Sequence, residues 1–347
     1  MSLPVADAAA PGPAVLLGHD RVLGPGRWRW LRAFAWAVLL FVVLTVAFTL
    51  GSGMIIALLM IVVHGGAAGN LLKDPPPAIL FTGLAVGTLV ALLLYVGLVQ
   101  LGEKRTAPEL SPRPALVELP AGLSLGAAMM AVTVALMWAG GWVSIAGQPV
   151  TAIWKAVAES IQSGILEELL FRLVVFRLLW RAFGIWAALG LSALLFGALH
   201  LMNPNASLFA AVCIAIEAGL MLAAFYILTG RLWVSIGVHA GWNFTQGWVF
   251  GAAVSGTSNF AGGPLSFHPV PGVAPILSGA GFGPEASLAG LAVGTAVGAA
   301  ALHRAWKRGR LTAIDAGTGP IVGRPAGAAA EGDVVGADGL EPPTLSV

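Results

Sequence analysis

Three stretches carry side chains able to do chemistry. They are Glu167-Glu168-Leu169-Leu170-Phe171-Arg172, Phe196-Gly197-Ala198-Leu199-His200 and His239-Ala240-Gly241-Trp242-Asn243. Each sits inside an otherwise apolar run. Glu168 and Arg172 are four apart, so on a helix they share a face and can pair. Glu167 is turned by about 100° from Glu168. The two carboxylates therefore address different partners, one held by Arg172 and the other facing a cavity. Adjacent like charge and desolvation both make a carboxylate a stronger base. Such a group is suited to take a proton from water near neutral pH. His239 and Asn243 are also one turn apart and offer two polar groups to one point. That arrangement can stabilise an oxyanion, or hold a metal or a water. Phe196 lies one turn before His200 and can shape or dry the space beside it. The bland alternatives are an Arg–Glu pair that only locks two helices and core histidines that are merely satisfied.

Depth decides how seriously to take these groups. Near the centre of a spanning helix each charge costs about 2.5 to 3.5 kcal/mol, so three unpaired ones would cost roughly 8 to 10. A chain keeps such a set only where the groups pair, line a wet cavity or react. The chain does look like one that spans a bilayer. Its 347 residues are 58% hydrophobic and only 10% charged, against about 25% charged in soluble domains. This composition predicts an all-α polytopic membrane protein with a polar intramembrane cavity. The net charge of +2 is small. The basic residues sit at segment ends, which argues against a nucleic-acid partner. The single cysteine, Cys213, allows no disulfide and no cysteine-based zinc site, and packing is its expected role.

The supporting elements follow from the apolar runs. Candidate spans cover 33–63, 78–101, 121–147, 152–176, 185–202, 206–229, 232–253 and 286–302. Segment 1–26, rich in Ala, Gly and Pro, is expected to be disordered, and no cleavable signal peptide is expected before the long first run. Arg27, Arg29 and Arg32 with Trp28 and Trp30 form a collar at its entrance. Helices one to three then occupy 27–147, a polar helical core 148–253, an outer loop and last helix 254–303, and a basic then solvated tail 304–347. Lys104, Arg105, Arg113, Arg177, Arg181, Arg231, Arg304 and Lys307 fall in alternate loops, which fits eight spans with both termini cytoplasmic. Glycines at four-residue spacing, among them Gly122 with Gly126 and Gly290 with Gly294 and Gly298, predict close helix packing. The Asn203-Pro204-Asn205 break predicts a tight antiparallel hairpin. At 1.5 Å per residue the polar groups fall in one layer, roughly 10 to 22 Å from the cytoplasmic boundary, with His200 deepest. Two other buried-run carboxylates stand apart. Glu159 is expected near the outer boundary and solvated. Glu217 is expected to pair with a histidine, gate water or bond a neighbouring helix.

Taken in order on successive helices, Glu-Glu-x-x-x-Arg, Phe-x-x-x-His and His-x-x-x-Asn resemble the motifs of the intramembrane CAAX protease and bacteriocin-processing family. This family, also called CPBP or Abi, includes the eukaryotic Ras-converting prenyl endopeptidase. The motifs match at Glu167, Glu168 and Arg172, at Phe196 and His200, and at His239 and Asn243. The resemblance covers about residues 150–250, and Gly281-Phe282-Gly283-Pro284-Glu285 before the last span also looks familial.

The resemblance implies an endopeptidase of the membrane; Ala and Gly richness points to a chain of bacterial character, and so to the bacterial cell membrane. Its partners would be membrane lipid and a peptide or lipidated protein, either prenylated and CaaX-like or related to bacteriocins. It implies that Glu167, oriented with His200, activates a water, that His239 and Asn243 stabilise the oxyanion, and that Glu168 and Arg172 support them. The family has been described both as metalloproteases and as glutamic proteases. No His-Glu-x-x-His helix is present, so a metal-free site is favoured. One Glu and two His holding zinc is the alternative. Two other classes compete: a transporter, which would show inverted repeats and broken helices, and an inert immunity or partner-binding protein.

Overall fold

The computed structural model describes residues 15–64, 75–151 and 153–311. Helix dominates: α1 (Arg29–His64), α2 (Pro77–Glu103), α3 (Pro112–Ala139), α4 (residues 154–183), α5 (Ile185–Leu199), α6 (Leu208–Thr229), α7 (residues 233–249) and α8 (Leu288–Lys307). The all-α polytopic membrane class holds. Among the described residues, six helices are long and apolar enough to cross a bilayer: α1, α2, α3, α5 with its terminal turn, α6 and α8. The other two, α4 and α7, carry the charged and polar motifs, and they are the elements the rest encloses. On α1, Leu39, Val42, Val46, Leu50 and Met54 stay exposed although apolar, as a lipid-facing surface requires.

Three expected boundaries differ. The run 121–147 is not one helix. It starts earlier, at Pro112, where a proline suits a first turn, and stops at Gly140-Gly141. Beyond the glycines, Val143–Gly147 forms a strand, β1, paired antiparallel with Leu265–Pro269, β2, in the register Val143 with Pro269. Helix α4 runs on past 176 to Phe183, so Arg177 and Arg181 are not loop charges. Both are buried. Arg177 makes a two-pronged pair with Glu103, at 2.8 and 2.7 Å. Arg181 donates to the carbonyls of Gly18 and Leu23, each at 2.9 Å. Those bonds account for the third difference. Part of the segment expected to be disordered, from residue 15, packs instead, burying Val15, Leu17 and Leu23. Three apolar side chains and two accepting carbonyls overcome a Gly- and Pro-rich composition. Residues 1–14 and 312–347, where the rest of that segment and the solvated tail were expected, lie outside the described residues.

Close glycine contacts position α7. A Cβ on Gly126 would come within 2.1 Å of the Val238 carbonyl oxygen, and one on Gly241 within 2.3 Å of the Leu123 carbonyl oxygen. Helices α3 and α7 therefore touch backbone to backbone, which small residues permit in lipid. The glycines at 122, 126, 237 and 241 face one another across this seam.

The helices also depart from regular α geometry where the polar groups lie. In α4 the segments Gln162–Glu167 and Leu169–Phe176 are π-helical, flanking Glu168. In α6, Ala215–Leu220 is π-helical and contains Glu217. In α7, Thr245–Val249 follows Asn243 in the same geometry. Such widened turns cluster at functional sites.

Candidate active site

The site grows outward from Glu168. This carboxylate is fully buried. One oxygen pairs with Arg172 Nε at 3.0 Å, and the other accepts a hydrogen bond from His239 Nδ1 at 2.9 Å. The i,i+4 pairing read from the sequence is present. The bond to His239 joins α4 to α7 and sets the imidazole's direction, because the nitrogen that binds Glu168 carries a proton. The other nitrogen, Nε2, points at Glu167 Oε2, 3.9 Å away. That gap is too long for a direct hydrogen bond and suits a bridging water.

Glu167 and Glu168 are thus held quite differently. Glu167 is 34% exposed at its side chain while Glu168 is 0%. The first is a partly exposed carboxylate; the second is locked between Arg172 and His239. The imidazole facing Glu167 is His239, not the His200 that the resemblance implied.

Arg172 anchors a third helix. Its NH2 donates to the Ala218 carbonyl of α6 at 2.6 Å, and its guanidinium lies 5.0 Å over the Phe196 ring. Phe196 is the apolar hub. Its ring centroid is 4.7 Å from that of Phe171, 4.7 Å from His200 and 6.4 Å from His239. His200 ends α5, where Nδ1 donates to the Phe196 carbonyl at 2.8 Å and Nε2 is left available. Asn243 donates from Nδ2 to Ser163 Oγ at 3.1 Å, and Ser163 in turn donates to the Glu159 carbonyl at 3.0 Å. Glu159 itself is half-buried.

Phe196, His200, His239 and Asn243 share a cavity of about 30 Å³ with Glu217, Ser255 and Glu285. At roughly 10 to 15 Å³ for each water centre, it has room for about two waters. Five of the six predicted site residues thus meet through direct bonds or this cavity. Glu167 joins them through His239. Sequence reasoning gave no role to Ser163, Ser255 or Glu285. Glu285 was legible as the lone carboxylate of the 254–285 loop, in a Gly-Phe-Gly-Pro turn just before an apolar helix. Its carboxyl accepts bonds from the Ser255 backbone, Gln246 and Trp242, and burial nonetheless pushes it up to about 7.

Zinc, which the resemblance allows, needs at least three protein ligands at about 2.0 to 2.2 Å. Among the described residues no three His, Cys, Asp or Glu groups converge on one point. The side chains as arranged do not fit such an ion, and no step below is routed through one.

Comparison with known proteins falls on the same part of the chain. Residues 149–245 match the family model of type II CAAX prenyl endopeptidases, Rce1-like. No curated protein and no solved structure matches the chain. The matched stretch contains every residue of the three motifs and the whole Glu168–His239–Arg172 junction. Over residues 149–245, around which its other helices pack, the chain is similar to the CAAX prenyl endopeptidase family.

Proposed function

We propose that the protein is an intramembrane endopeptidase that hydrolyses a peptide bond of a membrane-held substrate, with Glu167 as general base. The observation that carries this reading is the 3.9 Å approach of a partly exposed carboxylate, Glu167, to an oriented imidazole, His239, near enough for one water to bond both. Water there gives its proton to Glu167 as its oxygen attacks the carbonyl carbon. Asn243 Nδ2 and His239 Nε2 then donate to the oxygen as it gains charge. Charge balance favours a protonated His239 in this role. Glu167 and Glu168 carry two negative charges and Arg172 one positive. An imidazolium brings the buried set to neutrality, which lowers its desolvation cost. Glu168 and Arg172 orient the ring; His200 completes the wall of the cavity. A membrane-held substrate is also favoured by an apolar groove of about 520 Å³ between α3, α4 and α7, which reaches Ala240 beside His239. A lipidated, CaaX-like peptide is the substrate class with both the required anchor and an exposed amide.

The test is cleavage of a farnesylated peptide by purified protein in detergent or liposomes. His239→Ala and Asn243→Ala should each lower the rate by about 10²- to 10³-fold, the usual worth of an oxyanion donor. A chelator should leave the rate unchanged; loss of activity restored by zinc would replace the metal-free reading. If both variants cleave at the wild-type rate, the mechanism is wrong.

The α3–α7 seam gives a second expectation. Gly241→Val places a side chain against the Leu123 carbonyl and must push α7 outward, moving His239 and Asn243 together. A displacement near 1 Å should slow cleavage by about 10²-fold. Gly97→Val, at a glycine with open space around it, is the control and should change little.

A further inference from the structure

Glu217 has no role in the mechanism above, yet it is the most anomalous side chain in the molecule. It is buried, and neither carboxylate oxygen has a hydrogen-bond partner among the described residues. Leaving a buried polar group unpaired costs about 1 to 3 kcal/mol, so a side chain kept for packing alone would be apolar. Helix α8 closes one side of it. A Cβ on Gly294 would lie 2.3 Å from Glu217 Cβ, and one on Gly290 would lie 3.1 Å from Glu217 Oε2. The remaining outlet is the water-sized cavity it shares with His200, His239 and Asn243. Glu285 lies on the same cavity and over the same glycine: the Gly290 Cβ position is 3.2 Å from Glu285 Cα.

We propose that Glu217 and Glu285 hold one proton between them and pass it through the cavity water to the departing amine. Two carboxylates buried on one small cavity cannot both be ionised at modest cost, so the pair retains a proton. The ionisable groups facing Glu217 from its neighbours are Glu285, His200 and His239 across the cavity and Cys213 one turn earlier. Arg172 is already committed to Glu168 and the Ala218 carbonyl. Glu285 is the better-solvated partner, with its three donors, so the shared proton rests on Glu217.

The step balances. The C–N bond breaks as the Glu217 O–H proton moves through water to nitrogen. The proton that Glu167 took from the attacking water passes through water to Glu217 in the same step. The pair is thus refilled as it donates and never carries two charges. The net reaction consumes one water and releases one acid and one amine.

This inference rests on the hydrolytic reading for its kinetic arm only. In the infrared spectrum near neutral pH, the wild type should show a buried carboxylic-acid carbonyl band that shifts in D2O. Glu217→Gln should lose it. Glu217→Leu should raise the thermal midpoint, because it removes a buried carboxyl that has no protein hydrogen-bond partner. Glu217→Gln should slow amide cleavage by about 10²-fold. It should leave nearly untouched the ester analogue, in which oxygen replaces the scissile N–H, because an alkoxide leaving group depends less on a proton donor. No carbonyl band, a destabilised Glu217→Leu, or equal losses on amide and ester would each overturn the proton pair. Wild-type cleavage that survives Glu167→Gln would instead sink the hydrolytic reading and leave the spectroscopic result standing.

Discussion

Glu167→Gln is expected to lower peptide cleavage by about 10³- to 10⁴-fold, the upper part of the range for a general base, while the protein folds and purifies as the wild type does. The asymmetry within the doublet makes this sharp. Glu167 is partly exposed and its closest charged neighbour is His239 Nε2, at 3.9 Å. An isosteric amide at that edge breaks no buried bond, so its effect falls on chemistry rather than stability. Glutamine keeps the shape and the ability to hold a water but cannot accept its proton. The same change at Glu168 has a different consequence, because that carboxylate is wholly buried between Arg172 and His239. The readout is turnover of a farnesylated peptide alongside the thermal midpoint of each variant. A Glu167→Gln protein of unchanged turnover would remove the base from the mechanism.

Arg172→Met should be the most destabilising single change near the site. It leaves the Glu168 carboxylate buried without its guanidinium and the Ala218 carbonyl without its donor. Breaking one partner of a buried ion pair costs about 3 to 5 kcal/mol. The expected result is poor yield in detergent and a thermal midpoint far below the wild type. Pairing the change with Glu168→Leu should recover most of the stability, since two apolar side chains replace two buried charges. That double variant should still be inactive, because His239 has lost the acceptor that fixes its Nδ1 proton. Thermal scans of the two single variants and the double one form a cycle that isolates the pair. A double variant no more stable than Arg172→Met would show that Arg172 matters through its contact with Phe196 rather than through charge.

The polar motifs were legible in the chain because a bilayer makes them costly. With charged residues at only 10% of the total, a Glu-Glu doublet inside an apolar run stands out without any structure. Four-residue spacing on a helix was enough to pair Glu168 with Arg172 and to place His239 and Asn243 on one face. Glycine spacing likewise announced that α3 packs closely against a neighbour, without saying that the neighbour is α7. Composition failed where burial depends on distant partners. Arg177 and Arg181 read as loop charges because nothing local marks Glu103, 74 residues from Arg177, or the Gly18 carbonyl, 163 residues from Arg181, as their acceptors. Val143–Gly147 read as helix because its partner strand lies beyond the last polar helix.

By itself, then, the amino-acid order determined the class of molecule, the helices that matter and the six side chains at their centre. Those properties follow from hydropathy and from the period of a helix, which are local. Only the tertiary structure decided that His239 rather than His200 faces Glu167, that π turns surround the acids, and that Glu217 and Glu285 share one small wet space. These depend on which helices meet and at what rotation. That is set by long-range packing of glycine seams and buried ion pairs, and no window of neighbouring residues contains it.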